Sequence, residues 1–191
     1  KVYIIKIIKI CVIGLRYVGL PISMQISKRF ETIGFDVNLN RVKNLIKHND
    51  TNNEFKKSEF KNKKLSFTSQ ISKIKSCNFY IICVPTPITA KKIPDLNPIK
   101  KSFKTISKIL QKNDLVVLES TVYPGLTSQF ENYLQKKTML TNNKDFYLCY
   151  SPERINPGDK KNNLRKINKI FAINTKDIKI INIVKNVYKN L

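Results

Sequence analysis

The stretch "CVIGLRYVGLP", Cys11 to Pro21, decides the fold. It closes an apolar run, "IIKICVI" (Ile7 to Ile13), whose length and β-branched content predict a buried strand. Gly14 then opens a tight turn, and Gly19 enters a segment, Val18 to Phe30, whose apolar spacing predicts a helix. Strand, glycine turn and helix in this order suit a pyrophosphate. Free N–H groups at the helix N-terminus face the anion, and the helix dipole favours its charge. Arg16 is the departure: it stands where a dinucleotide fingerprint has its middle glycine. A glycine pair alone is weak evidence, and a strand–helix turn without a ligand stays open at this point.

Working outward, Glu31 to Asn38 ("ETIGFDVN") predicts a second strand with an acid near its end. That acid, Asp36, lies 22 residues after Gly14, close to the roughly 20 that a ribose-binding carboxylate requires. A carboxylate there accepts hydrogen bonds from a ribose diol and repels a 2′-phosphate, which favours NAD over NADP. The alternation continues. Arg41 to Lys47 predicts a helix, "LSFTS" a short strand, and Cys77 to Pro85 a buried strand. "PDLNPIKKSFKTISKILQK" predicts a helix with Ile99, Phe103 and Ile106 on one face. "DLVVLEST" predicts a strand and "PGLTSQFENYLQKK" a helix opened by Pro124. The strands "DFYLCYSPE" and "KIFAIN" follow, then a helix through "DIKIINIVKNVYKNL". The expected fold is a Rossmann-like α/β domain, a doubly wound parallel sheet over residues 1–191. Ligand chemistry is expected at the carboxyl ends of its strands.

Composition narrows the function classes. The formal net charge is +23, which would suit a polyanion-binding surface. The lysines are scattered rather than gathered on one element, and a chain rich in Lys, Asn and Ile without Trp fits the codon bias of an AT-rich genome. The densest run, "KKSEFKNKK" (Lys56 to Lys64), reads as a solvated helix or loop. Pattern, not total charge, makes a nucleic-acid site, so nucleic acid stands only as an alternative partner. Cys11, Cys77, Cys83 and Cys149 form no C-x-x-C pair and read as buried core thiols of a reducing, cytoplasmic compartment. With His48 the single histidine, no metal site is expected. No apolar run approaches the roughly 20 residues of a membrane span, and the basic, apolar start has no small-residue cleavage site.

Five segments then occur in order: "IKICVIGLRYVGLP", "GFDVNLNRV", "VPTPI…KKIPDLNPI", "LESTVYPG" and "YSPERINPGD". Together they resemble the N-terminal domain of the UDP-glucose/GDP-mannose dehydrogenase family, most of all its UDP-N-acetylhexosamine 6-dehydrogenase branch, the Vi-antigen type included. The resemblance implies an NAD-dependent oxidation of a UDP-sugar to its uronic acid, for surface polysaccharide. It implies that Gly14, Leu15, Arg16, Tyr17, Val18 and Gly19 form the pyrophosphate loop, and that Asp36 and Arg41 bind the adenosine ribose region. Val84, Pro85, Thr86 and Pro87 would line the cofactor, with Ser120 and Thr121 near the nicotinamide. Thr121 would also help hold a catalytic water. Glu153 would be an acid/base residue, and Glu153, Arg154, Ile155, Asn156 and Pro157 would contact the substrate. Glu119 also ends a strand, but a cap or an ion pair is the expected role there.

Two departures from the family pattern matter. Arg16 puts a side chain where the backbone approaches the pyrophosphate, which is expected to weaken or abolish NAD binding. The family's nucleophilic cysteine, with its Lys, Asn and Asp helpers, falls beyond Leu191, as do its central helix and sugar-binding domain. Cys149, inside a strand, is no substitute. The 191-residue chain is therefore not expected to complete the oxidation. The missing parts usually carry dimerisation, so the resemblance implies a homodimer for the complete protein and leaves room for this chain to be a monomer. The alternatives are a non-catalytic, truncated or decaying remnant and a basic nucleic-acid-binding domain.

Overall fold

A computed structural model describes residues 7–152, 169–189 and 191. Its seven strands are β1 (Lys9–Ile13), β2 (Glu31–Phe35), β3 (Leu65–Thr68), β4 (Phe79–Ile82), β5 (Leu115–Leu118), β6 (Tyr147–Tyr150) and β7 (Ala172–Ile173). The helices are α1 (Gly19–Ile26), α2 (Leu39–Ile46), α3 (Ile71–Ile74), α4 (Asn97–Ile106), α5 (Leu126–Thr138) and α6 (Ile178–Tyr188). The strands form one sheet in the order β3-β2-β1-β4-β5-β6-β7. The order reverses between β1 and β4, and at such a switch point the crossover connections diverge and leave a crevice beyond the strand ends.

Alternation along the strands builds the two sides of the sheet. Ile10, Val12, Phe79, Ile81, Leu115 and Val117 join one cluster, which α1 and α6 complete with Ile22, Ile26, Val184 and Val187. The intervening residues Cys11, Ile13, Tyr80, Ile82, Val116 and Leu118 join the other, which α4 and α5 cover. There Phe103 and Phe130 stack with ring centroids 4.1 Å apart. Both faces being buried explains why these strands read as continuous apolar runs rather than alternating ones.

The expectation of a parallel sheet needs one correction. β1 to β6 pair in parallel, but β7 pairs antiparallel with β6, Cys149 opposite Ile173 and Tyr150 opposite Ala172. An antiparallel neighbour needs no crossover helix, and such an edge strand commonly closes an otherwise parallel sheet. The lysine-rich run 56–64 holds one 3-10 turn, Lys57–Glu59, anchored by the buried Phe60.

Candidate functional site

At the carboxyl ends of β1, β2 and β4 lies a cleft of about 710 Å³. Six of the residues expected to bind the cofactor line it: Gly14, Arg16, Asp36, Arg41, Val84 and Pro85. The sequence explains the convergence. Three strands end within a few residues of these positions, and the switch point keeps their loops from covering one another.

The glycine loop is held by backbone and side-chain bonds on every side. Gly14 has φ +92°, a conformation an L side chain rarely adopts, and a Cβ there would stand 3.0 Å from the Cys83 carbonyl oxygen. Its N–H donates to the Phe35 carbonyl at 2.9 Å, which ties the loop to β2. A Cβ at Gly19 would overlap the Gly14 carbonyl oxygen and sit 3.1 Å from Cys83 Cβ. Leu15 is clamped through both of its peptide groups. Its N–H donates to Asp36 Oδ2 at 2.8 Å, and its carbonyl accepts from Arg41 Nε at 2.8 Å. The Leu15 side chain is buried with Leu20, Leu45 and Phe60, so only its backbone is left to face a ligand.

Asp36 thus has a structural duty the sequence did not announce. Its Oδ1 also accepts the Asn38 N–H at 2.9 Å. Each carboxylate oxygen keeps acceptor capacity beyond one bond, so a ribose hydroxyl remains within its chemistry. Arg41 is only 7% exposed. Nη1 pairs with Asp50 Oδ1 at 2.7 Å and donates to Thr51 Oγ1 at 3.0 Å, while the buried Nη2 has no hydrogen-bond partner among the described residues. Asp50 also accepts N–H groups of Asn52, Glu54 and Phe55 and so shapes the loop that supplies Thr51 and Asn52 to the cleft. Asp50 went unnoticed in the sequence, although the acid-and-amide cluster "NDTNN" is the composition of such a self-bonded turn.

Arg16 is exposed, lines the cleft and does not occupy the left-handed region. Its carbonyl accepts the Leu20 N–H at 3.1 Å, as the first turn of α1 requires. The loop therefore folds with arginine in the middle position at no backbone strain, and its consequence falls on what enters the cleft. The start of α1 has no side-chain cap and no acid in its first turn. By contrast the Asn38 side chain caps α2 by accepting the Arg41 N–H. In that first turn Pro21 has no N–H and the Leu20 and Ile22 N–H groups bond the Arg16 and Val18 carbonyls, so an anion is left the N–H groups of residues 16–19. Tyr17 is exposed and Val18 packs partly against the core beside α1. On the facing helix α4, Lys101, Ser102 and Thr105 complete the lining, a contribution the helical spacing of 97–106 could have revealed.

The second group of expected residues lies at the ends of β4 and β5. Ser120 Oγ donates to the Val84 carbonyl at 2.6 Å, so this hydroxyl joins the two loops. Thr86 is half-buried, and Pro87 and Thr121 are exposed. Glu119 is an ion pair, as expected. Oε2 meets Lys169 Nζ at 2.8 Å, and Oε1 accepts the Tyr188 hydroxyl at 2.5 Å; Glu119 and Tyr188 are buried, and the Lys169 side chain is 5% exposed. Burial, then Glu119, pushes the Tyr188 hydroxyl well above its ordinary range, and the same causes push the Cys149 thiol up to about 12. A neutral, buried thiol is no nucleophile. The expected substrate segment Glu153, Arg154, Ile155, Asn156 and Pro157 lies outside the described residues. No described helix is long and apolar enough to cross a membrane.

Comparison with known proteins bears on the cleft as a whole. The family model "UDP-glucose/GDP-mannose dehydrogenase family, NAD binding domain" matches residues 8–191. The chain is 46% identical over 186 residues to a UDP-N-acetyl-D-glucosamine 6-dehydrogenase of Salmonella typhi, covering 96% of this chain and 43% of that one. It is 40% identical over 188 residues to a protein of the same description from Pseudomonas aeruginosa, covering 97% and 44%. The chain thus spans less than half the length of these relatives. Among solved structures, a UDP-D-ManNAc dehydrogenase from Pyrococcus horikoshii superposes with a TM-score of 0.82 at 27% identity, over 96% of this chain and 44% of that one. A GDP-mannose dehydrogenase from Pseudomonas aeruginosa, at 21% identity over 96% and 44%, shares the fold with a TM-score of 0.85.

Proposed function

The chain belongs to the UDP-glucose/GDP-mannose dehydrogenase family by its NAD-binding domain, and on that premise we propose that it is the N-terminal part of an NAD-dependent UDP-sugar 6-dehydrogenase. The substrate class is a UDP-N-acetylhexosamine, with UDP-glucose as the nearest alternative, and the product a uronic acid for surface polysaccharide. The observation that carries the reading is the cleft itself: a glycine loop clamped through Leu15 by Asp36 and Arg41, opening on an uncapped helix start at the switch point. The 46% and 40% identities to UDP-N-acetyl-D-glucosamine 6-dehydrogenases support the choice of sugar. Residues 1–191 are assigned to one NAD-binding domain, with the sugar-binding part in the remaining length of the relatives. Four buried cysteines outside any disulfide support a reducing, cytoplasmic location.

The roles combine the placement of the described residues with the resemblance, which alone assigns Glu153. The N–H groups of residues 16–19, in the loop that the close-packed Gly14 and Gly19 allow, would hold a pyrophosphate. Asp36 would accept from the adenosine ribose, and Arg41 Nη2 would offer its unused donor to the same end. Bound NAD supplies the hydride acceptor. Converting a 6-alcohol to an acid removes two electron pairs and adds one oxygen from water, so two hydrides leave per sugar. Ser120 would fix the nicotinamide end through its bond to Val84, and Thr121 would steady the water. Glu153 is assigned the proton transfer.

Arg16 favours a second reading. Arg16 lines the cleft at the position where a glycine would let the pyrophosphate lie against the backbone, and its side chain would hold the ligand away. On this account the present copy binds NAD weakly and tends towards a non-catalytic remnant of the family. The test of the activity uses the complete reading frame that contains this chain. With UDP-N-acetylglucosamine and NAD, growth of the NADH absorbance at two NADH per uronate supports the enzyme. No turnover with any UDP-hexose, from a folded complete protein that nevertheless carries the catalytic cysteine, supports the remnant.

A further inference from the structure

Beneath the β5 loop lies a buried polar network that the cofactor cleft does not use. Glu119 is fully buried and meets Lys169 at 2.8 Å and Tyr188 at 2.5 Å. The three come from stretches far apart in the chain: the end of β5, the approach to β7 and the last turn of α6. Replacing a buried ion pair by apolar side chains of similar size is often neutral or stabilising, so such a pair is weak evidence for a purely stabilising role. Its location suggests another. The Glu119 N–H is fixed to the Ile82 carbonyl at 2.9 Å, and the next side chain, Ser120, grips the Val84 carbonyl at 2.6 Å. Glu119 therefore sits where the β5 loop meets the β4 loop, with its charge held from below by α6 and the β7 approach.

We propose that Glu119, with Lys169 and Tyr188, is a positioning device that sets the Ser120–Thr121 loop for the nicotinamide end of a bound dinucleotide. The inference rests on the NAD-binding reading above. Its action is indirect: the carboxylate touches neither cleft nor ligand, and it works through the Ser120–Val84 bond. Losing the carboxylate charge breaks its ion pair with Lys169 and lets the β5 end shift against β4. The adenosine half is held by other elements, Asp36, Arg41 and the start of α1, and is left in place.

The test compares NAD with ADP-ribose, which lacks only the nicotinamide, by calorimetric titration of the 191-residue chain. The ADP-ribose dissociation constant divided by that of NAD reports the nicotinamide end alone. Where the wild-type chain binds too weakly to measure, the ratio is taken in the Arg16→Gly background. Glu119→Gln is expected to cut the ratio by about tenfold, a loss of some 1.4 kcal/mol, while ADP-ribose affinity holds. A merely structural role would lower both affinities together, through loss of folded protein, or neither. An unchanged ratio in a folded Glu119→Gln chain overturns the inference, as does a starting ratio near one. Should Glu119→Gln not fold, Tyr188→Phe, which deletes one hydrogen bond and keeps the ion pair, carries the same readout with a smaller expected drop, and an unchanged ratio there is equally fatal. Failure of both the wild-type and Arg16→Gly chains to bind either ligand would instead defeat the NAD-binding reading itself.

Discussion

Gly19→Ala tests the architecture of the glycine loop most sharply. The added Cβ would overlap the Gly14 carbonyl oxygen, lie 2.9 Å from its carbon and stand 3.1 Å from Cys83 Cβ. Comfortable carbon contacts begin near 3.5 Å, so something must move by an ångström or more. The obstacle is backbone, and it cannot rotate away. Gly14 is pinned to the Phe35 carbonyl at 2.9 Å and wedged against Cys83 and Val84. Overpacking of this kind costs about 1–3 kcal/mol, and the rigid obstacle places Gly19→Ala at the upper end. A domain with about 5–15 kcal/mol of stability survives that loss, so the variant should fold and be measurable. Urea unfolding followed by circular dichroism should show an unchanged slope and a lower midpoint. Dinucleotide affinity, read in the Arg16→Gly background, should fall about tenfold as one or two hydrogen bonds to the displaced loop are lost. Stability within about 0.5 kcal/mol of the parent together with unchanged affinity would refute the close-packed loop.

Three further outcomes are expected. Asp50→Ala leaves the buried Arg41 charge without its partner and frees the N–H groups of residues 52, 54 and 55, so it should cost about 3–5 kcal/mol in chemical denaturation; a loss under about 1 kcal/mol would mean the pair is solvated. The four cysteines should resist a thiol reagent at neutral pH in the folded chain and react together on unfolding, and fast labelling of Cys149 in native protein would contradict its burial. Because folding raises the Cys149 thiol to about 12, its stabilising contribution is complete below the thiol's unfolded value and is lost as pH rises from there towards 12; denaturation midpoints in alkaline buffers should fall across that window, and less so for Cys149→Ser.

Much of this fold could be read from the chain, because buried parallel strands are continuous apolar runs. Ile10 to Ile13, Phe79 to Ile82 and Leu115 to Leu118 stand out without any alignment. Leu115 to Leu118 cannot be solvated on either face, and the helices between such runs are long enough to show a face. The misses are the short elements. Ile71–Ile74 is a single helical turn, too brief for a period, and the two residues of β7 carry no mark of their pairing direction. In the candidate site, positions that shape the loop through main-chain geometry or carry charge near a strand end were legible: Gly14, Gly19, Asp36, Arg41. Residues that act by holding others were not. Asp50 organises a loop by accepting N–H groups, a duty any polar turn residue could have, and only the folded chain shows which carbonyl Ser120 grips. Leu15 shows the reverse case, since its place in a phosphate-loop motif says nothing of a side chain buried under α2.

If a family NAD site persists here and Arg16 alone blunts it, restoring the glycine restores the affinity. Calorimetric titration of NAD into the 191-residue chain beside Arg16→Gly addresses that directly. Relief of about 1–3 kcal/mol of crowding corresponds to roughly fivefold to a hundredfold or more in affinity, so the glycine variant should bind NAD at least about fivefold tighter than the natural chain, with the same fold by circular dichroism. Equal and tight binding by both chains, or tighter binding by the arginine form, would contradict the claim.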